Sequence, residues 1–163
     1  MAKRGFCLLC CLLLLTGCYG KSALRVEKIF ENIKGVVDLP RCEIYRYVTD
    51  QSHNRLLSRL YTNTDNTNTV PPALAFCDDY LICLGEGDEI WELHIFCTAS
   101  VYDNKRIQEM LIKRRDLLQE KESFRYYSET SQTRVLGAEV FSFQNFVILS
   151  VTDQNEAIRA LFQ

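Results

Sequence analysis

Residues 78–98, DDYLICLGEGDEIWELHIFCT, constrain the chain more than any other stretch. β-Branched and aromatic residues crowd both arms, and GEGD (85–88) between them supplies turn-forming glycines. The pattern predicts a strand over 79–84, a turn, and a second strand over 90–98. A short turn reverses the chain, so the two arms pair antiparallel. A lone hairpin is marginal in water. The rest of the chain must therefore supply partner strands and a cover for at least one face.

The downstream sequence supplies both. Ile107, Met110, Leu111, Leu117 and Leu118 predict a helix from Asn104 to about Lys121, started by Asp103. Val135–Phe143 reads as a third strand, Asn145 permits a tight return, and Phe146–Val151 reads as a fourth. Asp153 caps a last helix carrying Ala157, Ile158, Leu161 and Phe162. Upstream, Val26, Ile29, Phe30, Ile33 and Val37 predict an amphipathic helix over about 23–35, stopped near Gly35. Ile44–Val48 reads as a short extended piece, outside the strand count. A second helix is expected near 52–61, with Ser52 as cap and Leu56, Leu57 and Leu60 as its apolar stripe. TNTDNTNTVPP (62–72) is polar and low in complexity, and reads as a surface loop inside one domain spanning 24–163. The order α-α-β-β-α-β-β-α predicts an α+β fold: a four-stranded antiparallel sheet with helices packed mainly on one face.

The N-terminus carries a different kind of signal. Lys3 and Arg4 precede an apolar run from Phe6 to Leu15. The run is far shorter than the roughly 20 residues a spanning helix needs, and the order matches an export signal. It ends in Leu15-Thr16-Gly17-Cys18, which resembles the bacterial lipoprotein processing box. That resemblance implies a signal peptide over 1–17, lipid on the Cys18 sulfur and a tether over 18–23. The partner it implies is the membrane, reached through that lipid at the extracytoplasmic face. Stable anchoring takes more than one acyl chain, and the processing implied for Cys18 supplies several.

Removing 17 of the 163 residues leaves 146, enough for a core of its own. Removing Lys3 and Arg4 leaves 17 basic residues against 21 acidic ones. A net charge near −4 argues against nucleic acid as a partner. Cys42, Cys77, Cys83 and Cys97 remain as thiols able to pair in an oxidising compartment. Four cysteines allow three complete pairings. Cys77 meets Cys97 if paired residue numbers in the hairpin sum to 174, and misses it if they sum to 173, so register decides.

Residues 78–119 and 138–162, with the processing box and the chain length, resemble a domain-of-unknown-function family of small bacterial lipoproteins. Glu92-Leu93-His94-Ile95-Phe96 carries that family's strand before a charged helix, and Val147–Phe162 its terminal strand and helix. The resemblance supplies no catalytic residues.

The chemistry-bearing residues outside the leader are few. His94 and Cys97 have metal-ligand spacing, but residues three apart on a strand point to opposite faces. No metal, cofactor or catalytic residue is assigned, and a Cys97/His94/Asp79 set can be assembled only on paper. Arg114 falls inside the apolar stripe of its helix, where an unpaired charge is costly. Either its stem covers the core while its head reaches water, the favoured reading, or Glu92 or Glu139 meets it. Trp91, Leu93, Ile95, Leu136, Ala138 and Val140 are expected to face the helices. Glu92, His94, Glu139 and Phe141, with Phe96 and Phe143, would lie opposite as a candidate binding face. The leading expectation is a non-enzymatic binding module for an envelope protein or small ligand. A solute-capturing or sensing lipoprotein comes second, and a cell-envelope hydrolase third.

Overall fold

The computed structural model describes residues 25–48, 52–62, 70–87 and 89–163. The leader, Cys18, the tether and positions 63–69 of the polar loop lie outside the described residues. The chain forms helix α1 (Val26–Lys34), strand β1 (Cys42–Arg46) and helix α2 (Asn54–Thr62). A 3-10 turn over Pro72–Phe76 leads into β2 (Cys77–Gly85) and β3 (Glu92–Thr98). Helix α3 (Asn104–Leu118), the single turn α4 (Lys121–Phe124) and α5 (Glu129–Leu136) follow. Strands β4 (Glu139–Phe143) and β5 (Phe146–Val151) and helix α6 (Asn155–Ala160) complete the fold.

The strands form one antiparallel sheet in the order β1-β2-β3-β5-β4. This corrects the expected four strands to five. The extra strand is β1, which overlaps the short extended piece expected at Ile44–Val48 but runs from Cys42 to Arg46. It is an edge strand with two residues half-buried and three exposed, divided over both faces, so neither face carries the apolar signature of an inner strand. A second correction concerns 129–136. Val135 lies in the last turn of helix α5, which ends at Leu136, and β4 starts only at Glu139. Ser128 caps that helix by accepting from Ser131 N, the local chemistry that favours a helix start.

The helices pack on both faces, not mainly on one. Tyr80, Ile82, Phe96, Val147, Leu149 and Val151 meet Leu57, Leu60 and Tyr61 of α2, with Ile107, Met110 and Leu111 of α3. On the reverse face Leu81, Cys83, Leu93, Ile95, Phe146 and Ile148 meet Val26, Ile29, Phe30 and Ile33 of α1, with Ile158 of α6. Strand β3 is consequently apolar or buried at nearly every position, the pattern of a strand covered on both sides.

Register settles the hairpin. Leu84 faces Glu92 and Tyr80 faces Phe96, with a shift near Asp78 that sets Cys77 opposite Thr98. The connection spans 86–91, longer than GEGD alone, because Glu86 N is recruited by Arg41 O and Gly85 N by Trp91 O. Cys77 and Cys97 are free thiols out of register with one another.

The two ends of the sheet are joined to helices by buried polar knots. Asn155 Oδ1 accepts from Ser150 Oγ (2.5 Å), Thr152 Oγ1 (2.9 Å) and Thr152 N (3.2 Å), while its Nδ2 donates to Gly137 O (2.6 Å). One side chain thus holds β5, α6 and the approach to β4. Asp153, expected as the cap of α6, instead pairs with Arg134 of α5. At the other end, Asn104 donates to Gln144 O (2.7 Å), and Asn145 donates to Thr98 O (3.0 Å). The turn's left-handed residue is Gln144, at φ 51°, and not Asn145. Asn155→Ala removes the acceptor shared by Ser150 and Thr152 and the donor to Gly137 O, leaving the two hydroxyls only their long contact with one another. It should cost roughly 2 kcal/mol, read as a lower denaturation midpoint in urea with an unchanged m-value.

Candidate functional site

A line of four polar side chains crosses the α2/α3 face of the sheet. His94 sits at the centre, opposite Ile82 on β2 and Leu149 on β5, and is fully buried. Glu92 is on the same face of β3, two residues earlier, and is 5% exposed. Strand periodicity places both there, because residues i and i+2 share a side.

Helices supply the partners. From α3, Arg114 Nη2 donates to Glu92 Oε1 (2.5 Å) and Nε to Oε2 (3.1 Å), a two-point guanidinium–carboxylate pair. From α2, Tyr61 Oη lies 2.7 Å from His94 Nδ1, with the rings edge to face. His94 Nε2 lies 3.1 Å from Glu92 Oε2, close enough to pair electrostatically, although the ring N–H is not aimed squarely at the oxygen. An ionised carboxylate only accepts. The arrangement that suits both neighbours therefore has the proton on Nε2 and the Tyr61 hydroxyl donating to Nδ1.

The charges are set by this packing. Burial pushes the Glu92 carboxyl up, but the Arg114 guanidinium and the His94 ring outweigh it and hold the group at about 2. Burial lowers His94, with Glu92 pulling the other way, so the imidazole is neutral at pH 7. Burial first, and Glu92 second, raise Tyr61 well above the usual phenol range. The net result is one carboxylate neutralised by one guanidinium, with a neutral imidazole and a phenol extending the chain. Arg114 is 17% exposed at its side chain. The favoured expectation that it reaches water alone gives way to the Glu92 pair.

The line runs between two clefts. Tyr61 lines the larger, about 750 Å³, which lies between the Pro72–Phe76 turn and α3. Arg106, Glu109, Lys113 and Asp116 of α3 add charges to its wall, and the Arg106 guanidinium stacks on Phe76. Glu92 and Arg114 border the smaller, about 380 Å³, beside Arg59, Gly85 and Trp91.

The four residues expected to form one binding face are divided. Glu92 and His94 are buried on the α2/α3 side, whereas Glu139 and Phe141 lie on the α1/α6 side. Glu139 pairs with Arg159 of α6, and Phe141 packs on Phe162. The expected grouping failed because it treated Glu139 as level with Glu92, whereas β4 reaches β3 only through β5, which sets Glu139 opposite Ser150. The Cys97/His94/Asp79 set is not brought together either. Asp79 is opposite Cys97, and His94 is on the other face. Among the described residues no three metal-ligating side chains converge. The groove on α3 was missed because Pro72–Phe76 reads as the end of a loop. Its only sequence trace is the Arg106-x-x-Glu109-x-x-x-Lys113 spacing, which also describes any solvated helix face.

No family model, curated protein or solved structure matches the chain.

The polar line fixes an acid response. As pH falls past 6.5, the unfolded chain binds a proton at His94 before the folded one does, so folded stability is complete above 6.5 and declines below. Glu92 contributes fully above its ordinary 4.5 and loses that contribution as pH falls toward about 2. Glu92→Gln should cost about 3 kcal/mol at pH 7 by leaving Arg114 without its counter-charge. The Glu92→Gln/Arg114→Met double variant should recover much of that loss and flatten the pH 4.5-to-2 limb, measured by urea unfolding across pH.

Proposed function

We propose that the chain is an exported, lipid-anchored binding module held at the extracytoplasmic face of a membrane by Cys18. The observation that carries this reading is the order of Lys3-Arg4, the Phe6–Leu15 apolar run and Thr16-Gly17-Cys18. Among the described residues no helix is long and apolar enough to cross a membrane, so the lipid is the attachment the proposal relies on. The body would project from it on residues 18–23.

The groove on α3 is the surface best suited to a partner. Its volume falls within the roughly 300–1,000 Å³ typical of ligand sites. Its floor is apolar at Pro72, Ala73, Met110 and Leu117, while Arg106 and Lys113 stand opposite in charge to Glu109, Asp116 and Glu120. A wall with both signs suits a partner carrying both signs, such as an extended peptide segment of an envelope protein. The titratable groups beneath it are committed to one another in the Tyr61–His94–Glu92–Arg114 line, which favours binding over acid–base chemistry. A second reading, capture of a small solute, has one observation in its favour. The smaller cleft reaches the Glu92–Arg114 pair, so an anionic or amide-bearing solute could meet Arg114 there.

Both parts are testable on the full chain made in a bacterial host. Metabolic labelling with an alkyne palmitate analogue should mark the wild type and leave Cys18→Ala unlabelled. Intact mass retaining Met1, or a bare Cys18 thiol, overturns the anchor. Cross-linked pulldown from detergent-solubilised membranes should recover a partner with wild type and with Phe141→Ala, but lose it at least tenfold with Lys113→Glu/Asp116→Lys at unchanged Tm. Equal recovery by the groove variant overturns the groove assignment.

A further inference from the structure

The sheet edge holds a pair of cysteines that the hairpin register does not involve. Cys42 Sγ and Cys83 Sγ lie 2.6 Å apart. Unbonded heavy atoms settle at roughly 3.5–4.0 Å, whereas bonded sulfurs lie about 2.05 Å apart. The two thiols are therefore much closer than a resting contact.

The backbone explains why they meet. Cys42 is opposite Gly85 and Cys83 is opposite Ile44, so the cysteines are diagonal neighbours on one face of adjacent antiparallel strands. Gly85 has no side chain to stand between them. A Cβ at Gly85 would come within 3.1 Å of the Trp91 Cβ, so this position also keeps the strand close to the 86–91 connection. Cys83 is buried in the α1/α6 core and Cys42 is half-buried at the edge. One thiol is therefore accessible to a reagent, and the other lies immediately behind it.

We infer that Cys42 and Cys83 form a disulfide that staples edge strand β1 to β2. The oxidant is a disulfide donor of the glutathione or thiol-oxidoreductase class. The half-buried Cys42, as thiolate, attacks one donor sulfur and expels the other as a thiolate, giving a mixed disulfide. Cys83 gives up its proton and attacks Cys42 Sγ, expelling the second donor sulfur. Two protein thiols are oxidised, the donor disulfide is reduced to two thiols, and both protein protons end on the donor. The burial that raises the Cys83 thiol, aided by its contact with Cys42, makes the second step the slower one.

The staple closes a loop across 41 sequence positions, which contains α2 and the polar loop. It fixes a five-residue strand at the edge of the sheet. Cys77 and Cys97 are left as thiols. Their proton-bound forms are favoured by burial, with Cys77 pushed up to about 12. In the cell, oxidation rests on the proposed export; the sulfur geometry does not.

The test therefore has two arms on the full chain. Protein recovered from membranes is alkylated in denaturant without reductant and digested with trypsin, which releases residues 42–46 as one peptide. That peptide should be joined to the 60–105 peptide, which carries Cys77, Cys83 and Cys97, in wild type and in Cys77→Ser/Cys97→Ser, and free in Cys83→Ser, so that the variants identify Cys83 as the partner. In the second arm, reduced purified protein is incubated with oxidised glutathione and mapped the same way. A 42–83 link in the second arm alone upholds the staple and counts against export. Free Cys42 and Cys83 after glutathione treatment, or a link through Cys77 or Cys97, overturns the staple. Reductant should lower the Tm of the oxidised wild type and leave Cys42→Ser/Cys83→Ser unmoved.

Discussion

Glu92 is a carboxylate on the central strand of a sheet covered on both faces, and it can stay there only with a cation beside it. Burying such a charge alone costs several kcal/mol. Arg114 supplies the cation from the middle of α3, and the two-point geometry leaves little freedom in how that helix crosses the sheet. The position of α3 in turn sets where Ile107, Met110 and Leu111 meet Phe96, Val147 and Leu149. It also sets the distance between α3 and the Pro72–Phe76 turn, and so the width of the larger groove. An apolar pair of similar volume could stabilise as well or better, but it would not dictate the crossing so narrowly.

His94 and Tyr61 extend the same constraint to α2. A neutral imidazole at the sheet centre needs a polar neighbour at each nitrogen. Tyr61 satisfies one from α2, and Glu92 approaches the other. Three elements distant in sequence therefore share one polar line inside an otherwise apolar layer. Tyr61 links this interior to the groove, which it also lines.

The legible parts of the fold were those where pattern alone decides. The 3.6-residue spacing of Val26, Ile29, Phe30 and Ile33 placed α1, and the same spacing placed α3 to within a turn. The α+β class followed from the alternation of such stretches with β-rich ones. What pattern could not give was adjacency. Nothing local to Cys42–Arg46 says that it pairs with β2, because an edge strand keeps one solvated side. Nothing local to Glu139 says that β5 stands between it and β3. The mistaken binding face came directly from this, since a sheet face is a property of strand order. Arg114 was legible as an anomaly, while its partner depended on a helix crossing that no window of sequence contains. Cys42 and Cys83 were invisible as a pair for the same reason, being 41 positions apart and joined only by the β1–β2 register.

Covering both faces has a consequence for where recognition can occur. A sheet with one bare face can bind a partner across it, but here α1 and α6 close one side and α2, α3 and α5 close the other. The accessible concave surfaces are therefore rims, where a helix meets a connecting segment. The groove between α3 and Pro72–Phe76 is such a rim, and one wall of it is a 3-10 turn with two prolines at its entry. Proline fixes φ before folding, and Ala73 and Leu74 anchor that wall on the core. The opposite wall is α3, held by the Glu92–Arg114 pair. The groove thus joins a proline-led turn to a helix positioned by a buried charge, with the Arg106–Phe76 stack bridging its two walls. Lys113 and Asp116, which hold neither wall, can then be altered without disturbing the core, as the surface residues of a binding site must be if recognition is to change while the fold does not.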